Sequence, residues 1–298
     1  MFDEVLIPTD GSESAERAAR YGQVLAEAYG ATVHVLCVVD RRDYDGVETD
    51  GVDAGKTAAE QQASDAVDAV AALVGDHGTV RTQITVGVPS EEILRYVVEE
   101  GIDLVVMGTH GRTGAERFVI GSVAERVVRH ADVPVLTVRV SDAPPWPPLD
   151  RILVPTDGSD ASFAALPAAF DLAERFDATV EALSIVDERS KASVYTVETA
   201  LEEMVGGLEA TAETATERIE ARARAADVDV TTTIVDGIPS RTICAHAEDS
   251  GADLVVLASH GRTGLAHSLL GSVAERVVRN SVVPVLTVPA VDDDDRAV

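Results

Sequence analysis

The sequence is short of lysine and of cysteine, and each shortage excludes something. Lys56 and Lys191 are the only lysines, so the 24 basic residues are almost all arginine, and 52 Asp and Glu leave a formal net charge of −28. Such a surface repels phosphate backbones and anionic membranes, which argues against nucleic acid and membrane as general partners. A local pocket lined by amides or arginine can still hold an anion. Two cysteines, Cys37 and Cys244, supply neither a disulfide framework nor a thiolate metal set. Both sit among apolar residues and read as reduced core positions. No unbroken apolar run reaches membrane-spanning length. The opening residues FDEVLIPTDGS enter a strand-like stretch with no basic-then-apolar secretory signal, so a cytoplasmic protein is expected. Two nucleotide motifs are missing as well, G-x-x-x-x-G-K-[ST] and a G-x-G-x-x-G after the first strand. A P-loop ATPase and an NAD dehydrogenase therefore fit poorly.

Against these absences stands an internal repeat. VLIPTDGS at residues 5–12 returns as ILVPTDGS at 152–159, an offset of 147. GVPS at 87–90 returns as GIPS at 237–240, HGRTG at 110–114 returns at 260–264, and GSVAERVVR at 121–129 returns at 271–279, each offset by 150. The halves match end to end, and their three-residue difference in length lies between the first pair of motifs and the second. A chain of 298 residues, 46% hydrophobic, can fill two cores beneath an acidic surface. The expected domains are 1–140 and 151–289. Between them SDAPPWPPLD, 141–150, carries four prolines that deny it helix or central strand and make it a short stiff linker, with Trp146 docking it against a domain. An acidic, solvated tail follows at 290–298.

Within the first unit, apolar residues 4–7 predict a buried strand. Ala15, Ala18, Ala19, Leu25 and Ala26 recur at helical spacing over 13–29, with Ser12 or Asp10 as cap. Further strands are expected at 31–39, 80–86, 104–107 and 133–140, and an alanine-rich helix at about 56–73 after a polar loop. A helix entered at Pro89 turns Ile93, Leu94 and Val97 inward, and another runs from 119 or 121 to about 130. The second unit repeats the order over 151–288, with a longer middle helix at about 194–226. Strands alternating with helices predict an α/β fold: an open, mostly parallel sheet with helices on both faces, duplicated in tandem.

After the fourth strand stand Gly108 and Gly111, then nine residues, then Gly121 and Ser122. Glycines permit tight turns, and loop amides with a helix N-terminus can face phosphate oxygens. A ligand on an open parallel sheet lies beyond the carboxyl ends of the strands where strand order reverses, and Asp10 faces the same crevice if the first and fourth strands are neighbours. Plainer readings stand beside these. Asp10 and Asp157 are also good cap or turn residues, Gly108 and Gly111 turn glycines, Ser122 and Ser272 helix caps, and Thr9 and Thr156 turn formers. Arg112 and Arg262 are phosphate partners or solvated loop arginines. His110 and His260 read as loop-shaping residues, since no Ser/His/Asp or Cys/His arrangement is legible around them. No catalytic residue and no metal ligand is assigned.

The pattern G-x-x-G, nine residues, G-[ST] resembles the ATP-binding pattern of the universal stress protein family, and PTDGS, HGRTG and GSVAERVV are typical of that family. The resemblance covers essentially the whole chain as two domains. It implies a five-stranded parallel sheet of order 3-2-1-4-5 in each and ATP, with Mg2+ as its companion, as ligand. It also implies an intramolecular pseudo-dimer paired through the fifth strands, and leaves open a homodimer and the identity of protein partners. Residue by residue, it places Asp10 near the ribose and the phosphates or their metal, and the backbone of Val38 at the adenine. Gly108, Gly111, Gly121 and Ser122 fall on the phosphates with Val123 beside them, and Pro8, Thr9, Met107 and Arg112 complete the set. In the second unit the matching residues are Asp157, Ile185, Gly261, Gly271, Ser272 and Val273. Ala258 stands where the first glycine is expected, its methyl either crowding the phosphates or reshaping the turn. The function implied is that of an ATP-binding cytoplasmic stress-response protein, non-catalytic or at most a slow ATPase. The alternatives are a partner-binding or structural module that needs no nucleotide, and an ATP hydrolase or nucleotidyl transferase. Scarce lysine under excess carboxylate resembles the composition of proteins from salt-accumulating halophiles and points to a halophilic archaeal source.

Overall fold

The computed structural model describes residues 1–43, 52–75, 78–110, 120–140, 149–188, 201–261 and 270–290. The linker through residue 148 with its Trp146, the tail from 291, and Gly111, Arg112 and Arg262 lie outside the described residues. The chain divides into two compact units, Met1–Trp146 and Pro147–Val298.

Unit one runs β1 (Glu4–Thr9), α1 (Glu13–Tyr29), β2 (Thr32–Asp40), α2 (Val52–Val74), β3 (Val80–Gly87), α3 (Pro89–Glu100), β4 (Leu104–Gly108), α4 (Ser122–His130) and β5 (Val135–Val138). Its strands are parallel in the order β3-β2-β1-β4-β5, the order the resemblance implied. Ser12 is the N-cap of α1, accepting from the Ala15 amide, and Gly30 closes the helix in the left-handed conformation at φ 68°. Ile7 pairs with Val35 of β2, whose neighbour His34 points to the other face of the sheet. Gly22 of α1 is seated on Ile7 and Val106, and Tyr96 of α3 reaches His34, so α1 with α2 and α3 with α4 cover opposite faces. The core they close holds Leu6, Ile7, Leu36, Leu104 and Leu136, all fully buried. Each contributes about 1.5–3 kcal/mol by leaving water.

Unit two runs β6 (Arg151–Thr156), a 3-10 turn (Ser162–Ala165), α5 (Leu166–Phe176), β7 (Thr179–Asp187), α6 (Leu201–Ala225), β8 (Val230–Gly237), α7 (Pro239–Asp249), β9 (Leu254–Ala258), α8 (Ser272–Asn280) and β10 (Val285–Val288). Its sheet repeats the topology as β8-β7-β6-β9-β10, again parallel.

Several boundaries differ from the sequence expectation for physical reasons. β1 continues through Pro8 to Thr9, because β2 carries the ladder to Thr9↔Cys37 and Pro8 owes that partner no amide. The fifth strand starts at Val135 and not 133, since Pro134 has no N–H and contributes only the carbonyl that receives the Val105 amide. The first helix of unit two opens with a 3-10 turn where unit one has α-helix. Cys37 is buried as expected, whereas Cys244 is partly exposed: α7 buries Ile243 and Ala247 and leaves Cys244 at the margin of that face.

Each unit also buries a polar network at the amino ends of its first two strands. In unit one the fully buried His34 bonds Glu4 through Nε2 at 2.6 Å and Tyr96 through Nδ1 at 2.9 Å. In unit two the chemistry trades places. Glu181 stands at the position of His34 and takes bonds from His246 at 2.6 Å, Thr233 at 3.0 Å and Arg151 at 3.4 Å.

The acidic surface carries its own expectation. Mutual repulsion among carboxylates destabilises the compact state, and salt screens it over a Debye length of about 3 Å at 1 M. The melting temperature should rise by several degrees between dilute buffer and molar KCl; a flat or falling curve would show that surface repulsion is not a significant term.

Candidate functional site

The crevice is opened by a proline. In β1 the carbonyl of Asp3 turns to β2 and that of Glu4 to β4, so Glu4, Leu6 and Pro8 present their backbone to β4. The β1–β4 ladder holds Val5↔Leu104 and Leu6↔Val105 and goes no further. At the next position facing β4, Pro8 has no N–H to give. The two strands therefore part towards their carboxyl ends, at the point where strand order reverses. Unit two does the same: Arg151 turns its carbonyl to β9, the ladder stops at Leu153↔Val255, and Pro155 follows.

The residues singled out by sequence gather around this opening. Pro8 and Thr9 end β1 and are buried, and Met107, also buried, leads into Gly108 at the end of β4. Val38 lies one residue past the last β1–β2 pair, held on its other side by Thr85 of β3. Asp10 is partly exposed at the mouth and accepts the Ser12 amide at 3.0 Å, while Thr9 Oγ1 accepts the Gly11 amide at 3.2 Å. Asp157 and Thr156 do the same for Ser159 and Gly158 at 3.0 Å each. The turn-forming role of these residues is thus realised, in a loop that requires glycine, with φ 75° at Gly11 and 80° at Gly158.

Across the opening lies the start of α4. Its N-cap is Gly121, not Ser122, and no side chain caps it; Ser122 is the first helical residue, and Gly271 and Ser272 repeat the arrangement. The reading of the two serines as caps is therefore corrected. A glycine N-cap leaves the first-turn amides of Ser122, Val123 and Ala124 without a side-chain acceptor, and they carry the positive end of the helix dipole. The Gly121 amide itself is committed, donating to the Thr109 carbonyl at 2.7 Å, and Gly271 to Ser259 at 2.8 Å. These bonds fold the helix start back onto the end of β4 or β9. They also explain the glycine: a Cβ on residue 271 would stand 3.0 Å from the Ser259 carbonyl. Gly261 brings its loop onto the acid, since a Cβ there would lie 2.6 Å from Asp157 Oδ2. Ile185 and Val273 are partly exposed at positions matching Val38 and Val123.

His110 and His260 each bond the preceding hydroxyl through Nδ1, Thr109 Oγ1 and Ser259 Oγ, both at 2.8 Å. That is the geometry of a loop-shaping residue. Among the described residues no cluster of three or more His, Cys, Asp or Glu is placed to hold a metal. Sequence reasoning missed Ser14, which is buried beneath the loop and whose Oγ accepts the His110 amide at 3.4 Å. The signal was present in the repeat, where Ala161 replaces Ser14 just as Ala258 replaces Gly108.

Two parallel sheets, each with a helix start that no side chain caps beside its switch point, define a tandem α/β protein of the open, doubly covered class. The universal stress protein family matches residues 1–139 and 148–289, and the chain belongs to that family. It is 34% identical over 141 residues to the universal stress protein MJ0531 of Methanocaldococcus jannaschii, covering 47% of this chain and 83% of that one. A universal stress protein structure from Archaeoglobus fulgidus aligns over 98% of this chain and 97% of its own at 23% identity, with a TM-score of 0.70, and shows the tandem fold. A universal stress protein solved in complex with cAMP aligns over 49% of this chain and all of its own at 27% identity, with a TM-score of 0.37. No helix among the described residues is long and apolar enough to cross a membrane.

Proposed function

We propose that this chain is a cytoplasmic stress-response protein that binds an adenine nucleotide, with ATP as the ligand of unit one. The observation that carries the reading is the glycine-capped start of α4, which has no side-chain cap and is folded back by the Gly121–Thr109 bond onto the end of β4, beside the crevice opened by Pro8. Anions are favoured at such a helix start by both the amides and the dipole. The phosphates lie on Ser122, Val123 and Ala124, and the adenine end lies towards Val38. Asp10 stands at the mouth, where a carboxylate can orient the ribose or share Mg2+ with the phosphates. In this reading the protein acts by occupancy: a ligand that favours one conformation shifts the population towards it.

Calorimetry of ATP with Mg2+ at high salt, together with analysis of any nucleotide released on denaturation, tests this. A saturable binding signal supports the reading, and cAMP in place of ATP reports whether the triphosphate is required. No heat and no released nucleotide would sink it and favour partner binding without a nucleotide.

A further inference from the structure

The two units differ where β4 and β9 end. In unit one Gly108 lies against the first turn of α1: a Cβ there would stand 2.2 Å from Ser14 Oγ and 2.8 Å from the Ser14 carbonyl carbon and oxygen. The glycine is thus required by the helix beneath the loop. In unit two residue 258 carries a methyl, and residue 161 has lost the hydroxyl that stands at Ser14. Volume has moved from helix to strand. The backbone adjusts with it, because unit two winds Ser162–Ala165 as a 3-10 turn before α5 begins at Leu166, whereas α1 is α-helical from Glu13. A 3-10 turn is tighter than an α-turn, which resets the first-turn backbone that would otherwise meet the methyl.

The hydroxyl has moved as well. Ser14 Oγ accepts the His110 amide and so ties the first turn of α1 to the loop after β4. In unit two Ser162, one residue further along, bonds Thr156 Oγ1 at 2.9 Å and donates to the Ser159 carbonyl at 2.7 Å, tying the turn to the end of β6. One unit anchors its first turn on the phosphate loop, the other on the first strand.

We propose that Ser14 is a positioning residue for the crevice of unit one, acting through the His110 amide, and that Ala258, Ala161 and Ser162 form a substitute anchorage in unit two. The proposal rests on the nucleotide reading above. Ser14 is 3% exposed and acts only through the backbone it holds. Without the Ser14 hydroxyl, His110 loses its tie to α1, so the adjacent Thr109, whose carbonyl holds the Gly121 amide at the start of α4, is held less firmly. Amides of α4 that are less well fixed bind phosphate less well even though the fold survives.

The test uses the full chain with Ser272→Asp silencing unit two, as a parent for three further changes. Ser14→Ala should keep the melting temperature within about 2 °C and weaken Mg-ATP binding by about 5–10-fold. Gly108→Ala should lower the melting temperature by about 4–8 °C, because its methyl meets backbone. Gly108→Ala combined with Ser14→Ala and Ala15→Ser writes the unit-two set into unit one, and should recover at least half of that drop. Two results would overturn the proposal while leaving the nucleotide reading intact: unchanged ATP affinity in Ser14→Ala, or a combined variant no more stable than Gly108→Ala alone. A parent that binds no ATP, when the unmutated chain binds none either, sinks both.

Discussion

Ser122→Asp is expected to weaken Mg-ATP binding at unit one by about a hundredfold while leaving the melting temperature unchanged or slightly higher. The two effects have opposite signs because one side chain meets two fields. Ser122 is the exposed first residue of α4, so a carboxylate there lies at the positive end of the helix dipole and stabilises the helix by about 0.3–1 kcal/mol. The same charge occupies the ground on which phosphate would sit, and a like charge in that position costs several kcal/mol; about 2.8 kcal/mol corresponds to the hundredfold loss. Ser272→Asp should do the same in unit two, so titrating ATP into each single variant and the double counts the working sites. Calorimetry and melting read together are decisive: a variant that keeps both its stability and its affinity would place the phosphates elsewhere than on the α4 amides.

The α/β class and its duplication were legible in the sequence because they depend on features that repeat, and the strand order followed from the family resemblance. Apolar strands alternate with amphipathic helices twice over, and α1 falls on its expected residues because Ser12 and Gly30 bound it at both ends. Asp10 and Gly108 come to the strand ends of one crevice because the implied order makes β1 and β4 neighbours, and residues that close adjacent parallel strands meet at the same edge. The supporting contacts were not legible, because they depend on which atoms face each other across elements far apart in sequence. Pro8 lay just beyond the strand expected over 4–7, and only the structure shows its backbone facing β4, where the missing amide lets the strands part. Ala258 reads as either crowding the phosphates or reshaping the turn until the atoms next to Gly108 are found to be those of Ser14. Ser122 reads as a cap until Gly121 is found in that place. His34 and Glu181, which sequence reasoning did not single out, each close a buried network with partners that changed in step.

The network around Glu181 should contribute substantially to stability and weaken in acid. Glu181 is only 7% exposed and gathers three donors, so Glu181→Ala leaves His246, Thr233 and Arg151 without their shared acceptor. Breaking a buried pair of this kind by removing one partner costs about 3–5 kcal/mol; the lower figure applies here because Arg151 is 46% exposed and can turn to water. A melting temperature lower by about 6–12 °C is expected at neutral pH. Glu181→Gln keeps an acceptor for His246 and Thr233 and should lose less, about 1–2 kcal/mol. Burial of Glu181 opposes its charge, but the bonds from His246 and Thr233 and the nearby charges outweigh it and hold the carboxyl below its ordinary range. A carboxyl whose folded pKa is depressed adds stability that is complete above its unfolded pKa, about 4.3, and disappears as pH falls through the folded value. The stability difference between wild type and Glu181→Gln should therefore be constant from neutral pH down to about 5 and shrink below about 4. Melts of the two proteins across that range, at one salt concentration, isolate this carboxyl from the rest of the acidic surface. A gap that persists unchanged below pH 4 would mean that Glu181 stabilises unit two by shape and not by charge.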